Sequence, residues 1–181
     1  RTYPAYRESG IEWLGQIPEH WETLRLKYTS TINDDVLPEN TDIDFEINYI
    51  DISSIDPYEG VKKKETFKFG DAPSRARRKV KHGDVIVSTV RTYLRAIAPI
   101  IKPEDNLIVS TGFAVIRPKR LLKNSFTSYA LRSSFFVDEV VSRSVGVSYP
   151  AINSSEIGCI YIVVPGLNEQ EEIANYLDRE T

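Results

Sequence analysis

The sequence predicts an α+β fold: one mixed globular domain with a twisted β-sheet core and a few helices, ending in the start of a longer helix. Three observations predict it. The 181 residues suffice for one domain with a proper buried core. Short runs rich in β-branched residues, punctuated by glycine, proline and aspartate, recur between residues 46 and 117 and again at 159–164. Residues 124–143 and 168–181 carry the helical period instead. A hydrophobic share of 41% and a charged share of 27% fit an ordinary globular domain.

Taken in chain order, residues 1–27 are rich in aromatics and turn formers. They read as an extended lead-in packed on the domain through Trp13, Leu14, Ile17 and Trp21. An acidic loop follows at 34–44. Strands are expected at 46–55, at 84–90 behind the Gly83–Asp84 turn, and at 96–101, 107–110, 113–117 and 159–164. Pro99 makes its strand short or an edge. Between the first two strands, residues 75–81 hold five cations beside Gly70, Pro73 and Gly83, and read as a loop. In 124–143, Phe126, Tyr129, Ala130, Phe136, Val137, Val140 and Val141 build one apolar helical face, with a break expected near Ser133 and Ser134. In the last helix Asn168 is the expected N-cap and Glu171 its capping-box partner, while Ile173, Tyr176 and Leu177 share a face. No stop signal precedes Thr181, which reads as a truncated helix or equally as a frayed natural terminus. The chain has no methionine, so Arg1 is not expected to be an intact translation start.

Several function classes are poorly served. Cys159 is the single cysteine, which excludes an internal disulfide and a cysteine-based zinc site and fits a reducing, cytoplasmic setting. No apolar run approaches the roughly 18 residues of a membrane span, and no signal-peptide pattern opens the chain. A methyltransferase needs a glycine-rich cofactor turn and an Asn/Asp-Pro-Pro-aromatic turn; Asp56, Pro57 and Tyr58 come nearest and lack the second proline. Glu46 to Asn48 and Glu59 to Val61 put the wrong residue where a metal-dependent nuclease wants lysine. Asp34 and Asp35 read as turn chemistry, and no phosphate-binding loop occurs. His20 and His82 lack a nucleophile in an obvious elbow, and no metal or cofactor is expected.

Charge is unevenly distributed. Residues 1–60 carry 4 basic and 13 acidic side chains, 61–120 carry 15 and 5, and 121–181 carry 4 and 8. A cationic middle between anionic ends suggests one face built for a polyanion, against the plainer reading of solvated surface. Lys62, Lys63, Lys64, Arg75, Arg77, Arg78, Lys79 and Lys81 are candidates for DNA phosphates. Arg91, Tyr93 and Arg95 follow a β-rich run and are candidates for base edges, or Arg91 and Arg95 simply pair with carboxylates. Gly146 permits close backbone approach, making Ser148 and Tyr149 further candidates, against an ordinary turn with Tyr149 packed inside.

Motifs spanning the chain resemble one family. The opening, through Tyr3, Pro4, Tyr6, Ser9, Gly10, Trp13, Leu14, Gly15, Ile17, Pro18, His20 and Trp21, is similar to the start of type I restriction-modification specificity subunits. So are residues 83–91 with Leu94 and Arg95, residues 110–115, and residues 146–152. Val163, Val164 and Pro165, followed by Glu169, Gln170, Ile173, Ala174, Leu177 and Asp178, resemble the entry to that family's long spacer helix. The resemblance implies a target-recognition domain at 1–165 and the opening of the spacer helix at 166–181. It implies a chain that is not itself an enzyme and that reads one half of a bipartite duplex DNA target. Its implied partners are a second recognition domain, the methyltransferase (modification) subunits and the restriction subunit, with Ile173, Tyr176 and Leu177 as a partner surface. A cryptic nuclease or methyltransferase, or an interaction domain with no nucleic-acid ligand, stands as the alternative.

Overall fold

Alternation along a few short strands fixes the layering, as a computed structural model describing residues 3–180 shows; Arg1, Thr2 and Thr181 lie outside those residues. The strands are β1 (Tyr6–Glu8), β2 (Gln16–Pro18), β3 (Glu22–Arg25), β4 (Ser30–Ile32), β5 (Glu46–Ile50), β6 (Ile55–Asp56), β7 (Gly60–Val61), β8 (Glu65–Lys68), β9 (Ala76–Lys79), β10 (Val85–Ser88), β11 (Ile97–Pro99), β12 (Leu107–Ser110), β13 (Phe113–Pro118) and β14 (Tyr161–Val164). The helices are α1 (Leu26–Thr29), α2 (Asn124–Arg132), α3 (Ser134–Ser142), α4 (Ser154–Cys159) and α5 (Leu167–Glu180).

Two four-stranded sheets form the core, ordered β11-β10-β13-β4 and β8-β5-β12-β9. The first is antiparallel throughout; in the second β5 and β12 run parallel. Side chains alternate across a strand. Ile86, Phe113 and Val115 of the first sheet therefore meet Ile50, Leu107 and Val109 of the second. Val85, Val87, Ala114 and Ile116 point the other way, onto Phe126, Leu131, Phe136 and Val140 of α2 and α3. Ile47, Tyr49 and Ile108 face outward under Leu37, Phe69 and Ala76. Strands β10 and β12 are buried at every position because both faces are covered.

The expected strands at 84–90, 96–101, 107–110 and 113–117 are present, and the strand holding Pro99 is an edge. The helical segment breaks at Ser133, whose hydroxyl donates to Ala130 O at 2.7 Å and accepts from Phe136 N–H at 3.4 Å, so one residue closes α2 and opens α3. Five expectations need correction. The strand from 46 stops at Ile50, where Asp51 caps a short 3-10 turn. Residues 76–79 are the edge strand β9, not a loop; residues 35–37 lie along its open side through Leu37 N–H to Arg77 O and Lys79 N–H to Asp35 O. Cys159 ends α4, because residues 154–159 coil before β14 begins. Asn168 lies inside α5 rather than capping it, since Gln170 N–H already bonds to Gly166 O. Trp13 is 71% exposed rather than packed into the core, whereas Ile17 is buried.

Candidate nucleic-acid interface

Strand direction gathers one set of loops. Ser88 at the end of β10 lies opposite Phe113 at the start of β13, and Ser110 at the end of β12 lies opposite Ala76 at the start of β9. Thr111 and Gly112 join the two sheets there, with Thr111 N–H donating to Arg75 O at 2.8 Å and Thr89 N–H to Gly112 O at 2.8 Å. Residues 145–151 dock on the same end: Arg91 N–H donates to Pro150 O at 2.8 Å and Ile152 N–H to Thr89 O at 2.9 Å. Arg75, Arg91, Tyr93, Arg95, Ser148 and Tyr149 are thereby brought to one end of the domain, all exposed.

Backbone geometry pushes the arginines outward. Arg91 and Arg95 both adopt the left-handed conformation, with φ of 49° and 53°, on either side of a 3-10 turn at Thr92–Leu94. Such backbone costs a non-glycine residue free energy and persists only where the surroundings impose it. Thr92 is buried beneath and shares a 2.7 Å hydrogen bond with Ser144. The Arg91 guanidinium lies 4.8 Å over the Tyr149 ring. Tyr149 is thus not packed inside as an ordinary turn residue; it is 67% exposed. Among the described residues neither Arg75 nor Arg91 has a carboxylate partner, while Arg95 lies 3.6 Å from Asp138 in a solvent-exposed pair of little strength.

The other predicted cations lie elsewhere and are mostly neutralised. Lys62 reaches Asp56 and Glu59, Lys63 reaches Glu65, and Lys64 reaches Glu104. Lys79 and Lys81 both face Asp35. Six residues at about 3.3 Å each put Lys81 roughly 20 Å from Arg75 along the edge. Arg77 packs 4.6 Å over the Phe69 ring. Arg78 is half-buried, its Nε has no partner, and burial pulls its pKa down.

Near Lys81 a structural cluster closes the far end of the strands. Asp84, almost fully buried, accepts Arg117 Nε at 2.9 Å and Nη2 at 2.8 Å, and also the Lys81 N–H at 2.7 Å. Arg117 bonds Asp34 as well. Burial works to raise the Asp34 pKa, but the Thr31 hydroxyl and Arg117 outweigh it and leave it below the usual carboxylate range. The acidic pair read as turn chemistry thus holds cations. His20 contacts Glu169 at 2.9 Å, and His82 Nδ1 accepts the Lys102 N–H at 3.2 Å. Among the described residues no group of three or more His, Cys, Asp or Glu is placed to hold a metal, and no helix is long and apolar enough to cross a membrane.

Two features escaped the sequence reading. Val145 and Val147 are 80% and 102% exposed on the turn that carries Ser148 and Tyr149. Gln170 is fully buried, its amide donating to Leu121 O and Pro165 O and its carbonyl accepting from Lys123 N–H, at 2.8–2.9 Å. This amide seats α5 beside α2. Ile173 packs against the main core and Leu177 is partly covered, while Tyr176 is 56% exposed.

Comparison with known proteins gives a consistent match. The family model described as the type I restriction modification DNA specificity domain matches residues 18–180. A crystal structure of the HsdS subunit from Thermoanaerobacter tengcongensis superposes with a TM-score of 0.80 at 30% identity, covering 90% of this chain and 42% of that one. A chain from a structure described as the structural basis of complex assembly and conformational transition of the type I R-M system gives 0.81 at 31%, with the same coverage. The type I restriction-modification S subunit from M. genitalium, at 16% identity and a TM-score of 0.59 over 87% of this chain and 38% of that one, shares the fold. No curated sequence matches the chain significantly. The chain spans less than half the length of the solved subunits it resembles.

Proposed function

The chain belongs to the type I restriction modification DNA specificity domain family, and from that premise we propose that it reads one half of a bipartite duplex target through the loop end that carries Arg91. The observation carrying this reading is the pair of arginines, Arg75 and Arg91, exposed and without carboxylate partners where loops of both sheets converge. An arginine fork fits phosphate or a guanine edge, and Tyr93, Ser148 and Tyr149 add donors and flat surface beside it. Lys62, Lys63, Lys64, Lys79 and Lys81, each already facing a carboxylate, are assigned at most to phosphates at the margin.

Residues 1–165 are the recognition domain and 166–181 the opening of the spacer helix. That helix, through Tyr176 above all, faces a second recognition domain or the methyltransferase subunits. The restriction subunit joins the same cytoplasmic complex, and chemistry on DNA is theirs. The test is binding of duplexes selected from a random library by the complete subunit with its methyltransferase partner. Arg91→Ala and Arg75→Ala should each weaken binding of the selected half-site and relax its preference at one position; if both variants keep affinity and preference unchanged, the loop end is not the reader. Methyl transfer from S-adenosylmethionine by the purified chain alone would overturn the non-catalytic role.

A further inference from the structure

Phosphate attraction explains the arginines of the loop end but not its apex. Residues 145–151 form a closed hairpin, with Val145 N–H donating to Ala151 O at 2.9 Å and Ala151 N–H returning to Val145 O at 3.0 Å. Its base is tied to residues 89–92 by the bonds from Arg91 N–H and Ile152 N–H and by the shared Thr92–Ser144 hydroxyl bond. Gly146 sits at φ +119°, and a Cβ there would meet Tyr149 O at 3.1 Å, so the turn is tight and needs glycine. On this fixed base Val147 is fully exposed and touches nothing that shields it. Val145 and Tyr149 on the same turn are 80% and 67% exposed, so the turn presents an apolar patch beside the unpaired Arg91 rather than one stray side chain.

The apolar group that duplex DNA offers in a groove is the thymine 5-methyl, in the major groove. Valine suits it: χ1 is stiff, so little rotamer freedom is lost on contact. It is also shorter than the phenylalanine, leucine, isoleucine and methionine side chains that pry base steps apart from the minor groove. Resting on the DNA-reading role proposed above, we infer that Val147 reads a thymine methyl in the half-site, with Arg91, stacked on Tyr149, gripping the backbone or base edge alongside.

The experiment uses the complete subunit assembled with its methyltransferase partner and a duplex selected as its target. Each thymine of the half-site is replaced in turn by deoxyuridine, which removes only the methyl. One position should weaken binding about fourfold, the worth of one buried methyl group. Val147→Ala should bind the thymine and uracil duplexes at that position equally, and its exposed site leaves folding intact. The inference is overturned if no uracil substitution matters, if the half-site has no thymine, if Val147→Ala keeps the methyl sensitivity, or if it weakens all duplexes alike. Should the half-site preference and its dependence on Arg75 and Arg91 persist in any of those cases, only the role of Val147 fails and the DNA-reading role stands. Loss of that dependence sinks the DNA-reading role itself.

Discussion

At the scale of single residues, pairing separates the cations that the sequence presents as one stretch. Lys79 and Lys81 face Asp35, whereas Arg91 lies over the Tyr149 ring with no carboxylate partner among the described residues. Arg91→Ala should cost roughly 1–3 kcal/mol on the cognate half-site and relax preference at one position, while Lys81→Ala should shift binding little and on all sequences alike. Titration of duplex binding, with melting temperature as a control for folding, separates these outcomes. The Asp84–Arg117 pair makes a different prediction. Asp84→Ala would leave Arg117 with Asp34 as its remaining carboxylate and orphan the Lys81 N–H, at about 2 kcal/mol, or roughly 5 °C in melting temperature. Glu169 adds a pH dependence. Burial raises its pKa, but bonds from the Tyr3 hydroxyl and His20 prevail and hold it below the usual glutamate range. A depressed carboxyl stabilises the fold above its unfolded pKa, and that contribution is lost as pH falls through the lower folded value. Acid should therefore release the lead-in from α5, seen as a change in Trp21 fluorescence in a Trp13→Phe background. Glu169→Gln should remove the transition, and an unchanged acid limb would refute the link.

At the scale of elements, the central strands were legible because their β-branched runs are dense and their turns are marked by glycine and aspartate. The α2–α3 break was legible because Ser133 interrupts an otherwise continuous apolar face. What the sequence hid was decided by neighbours far along the chain. Strand β9 spells Ala-Arg-Arg-Lys and has no apolar alternation, yet it is a strand because β12 pairs with it on one side and residues 35–37 on the other. Some of the carboxylates that tame the lysines, Glu104 for Lys64 and Asp35 for Lys79 and Lys81, come from 40 or more residues away. The loop end was half visible: Arg91, Arg95 and Tyr149 could be named, but their convergence depended on bonds between residues 89–91 and 150–152. Helix α5 shows the same limit, because the spacing of Ile173, Tyr176 and Leu177 gives a face but not its outward part. Ile173→Asp should now cost stability as well as assembly, lowering the melting temperature by about 5 °C, since Ile173 packs on the core. Tyr176→Ala should leave melting unchanged and weaken association with the methyltransferase subunits; normal assembly by that variant would remove Tyr176 from the interface.

At the scale of the whole molecule, a net charge of −3 is no bar to the proposed contact with a polyanion, because Arg75 and Arg91 at the loop end have no carboxylate partner among the described residues. Affinity for duplex DNA should fall with salt at about −0.9 per phosphate neutralised, so contact through Arg75, Arg91 and Arg95 gives a log–log slope of about −2 to −3. A slope of roughly −7 would mean that the lysines at 62–64 and 79–81 engage as well. Helix α5 and the loop end that carries Arg91 lie at opposite ends of β10, the helix lining a groove with His82 and Gly83 just before that strand. Gln170, in the first turn of α5, is therefore the fulcrum of a lever. From Gln170 to Glu180 the helix rises about 15 Å at 1.5 Å per residue. A tilt of about 13° at the fulcrum sweeps the far end by roughly 3.4 Å, the step between successive base pairs. With α5 as the proposed opening of a spacer helix between two readers, the three hydrogen bonds of one buried amide would gauge the gap, and loosening them should blur the count of base pairs between the half-sites.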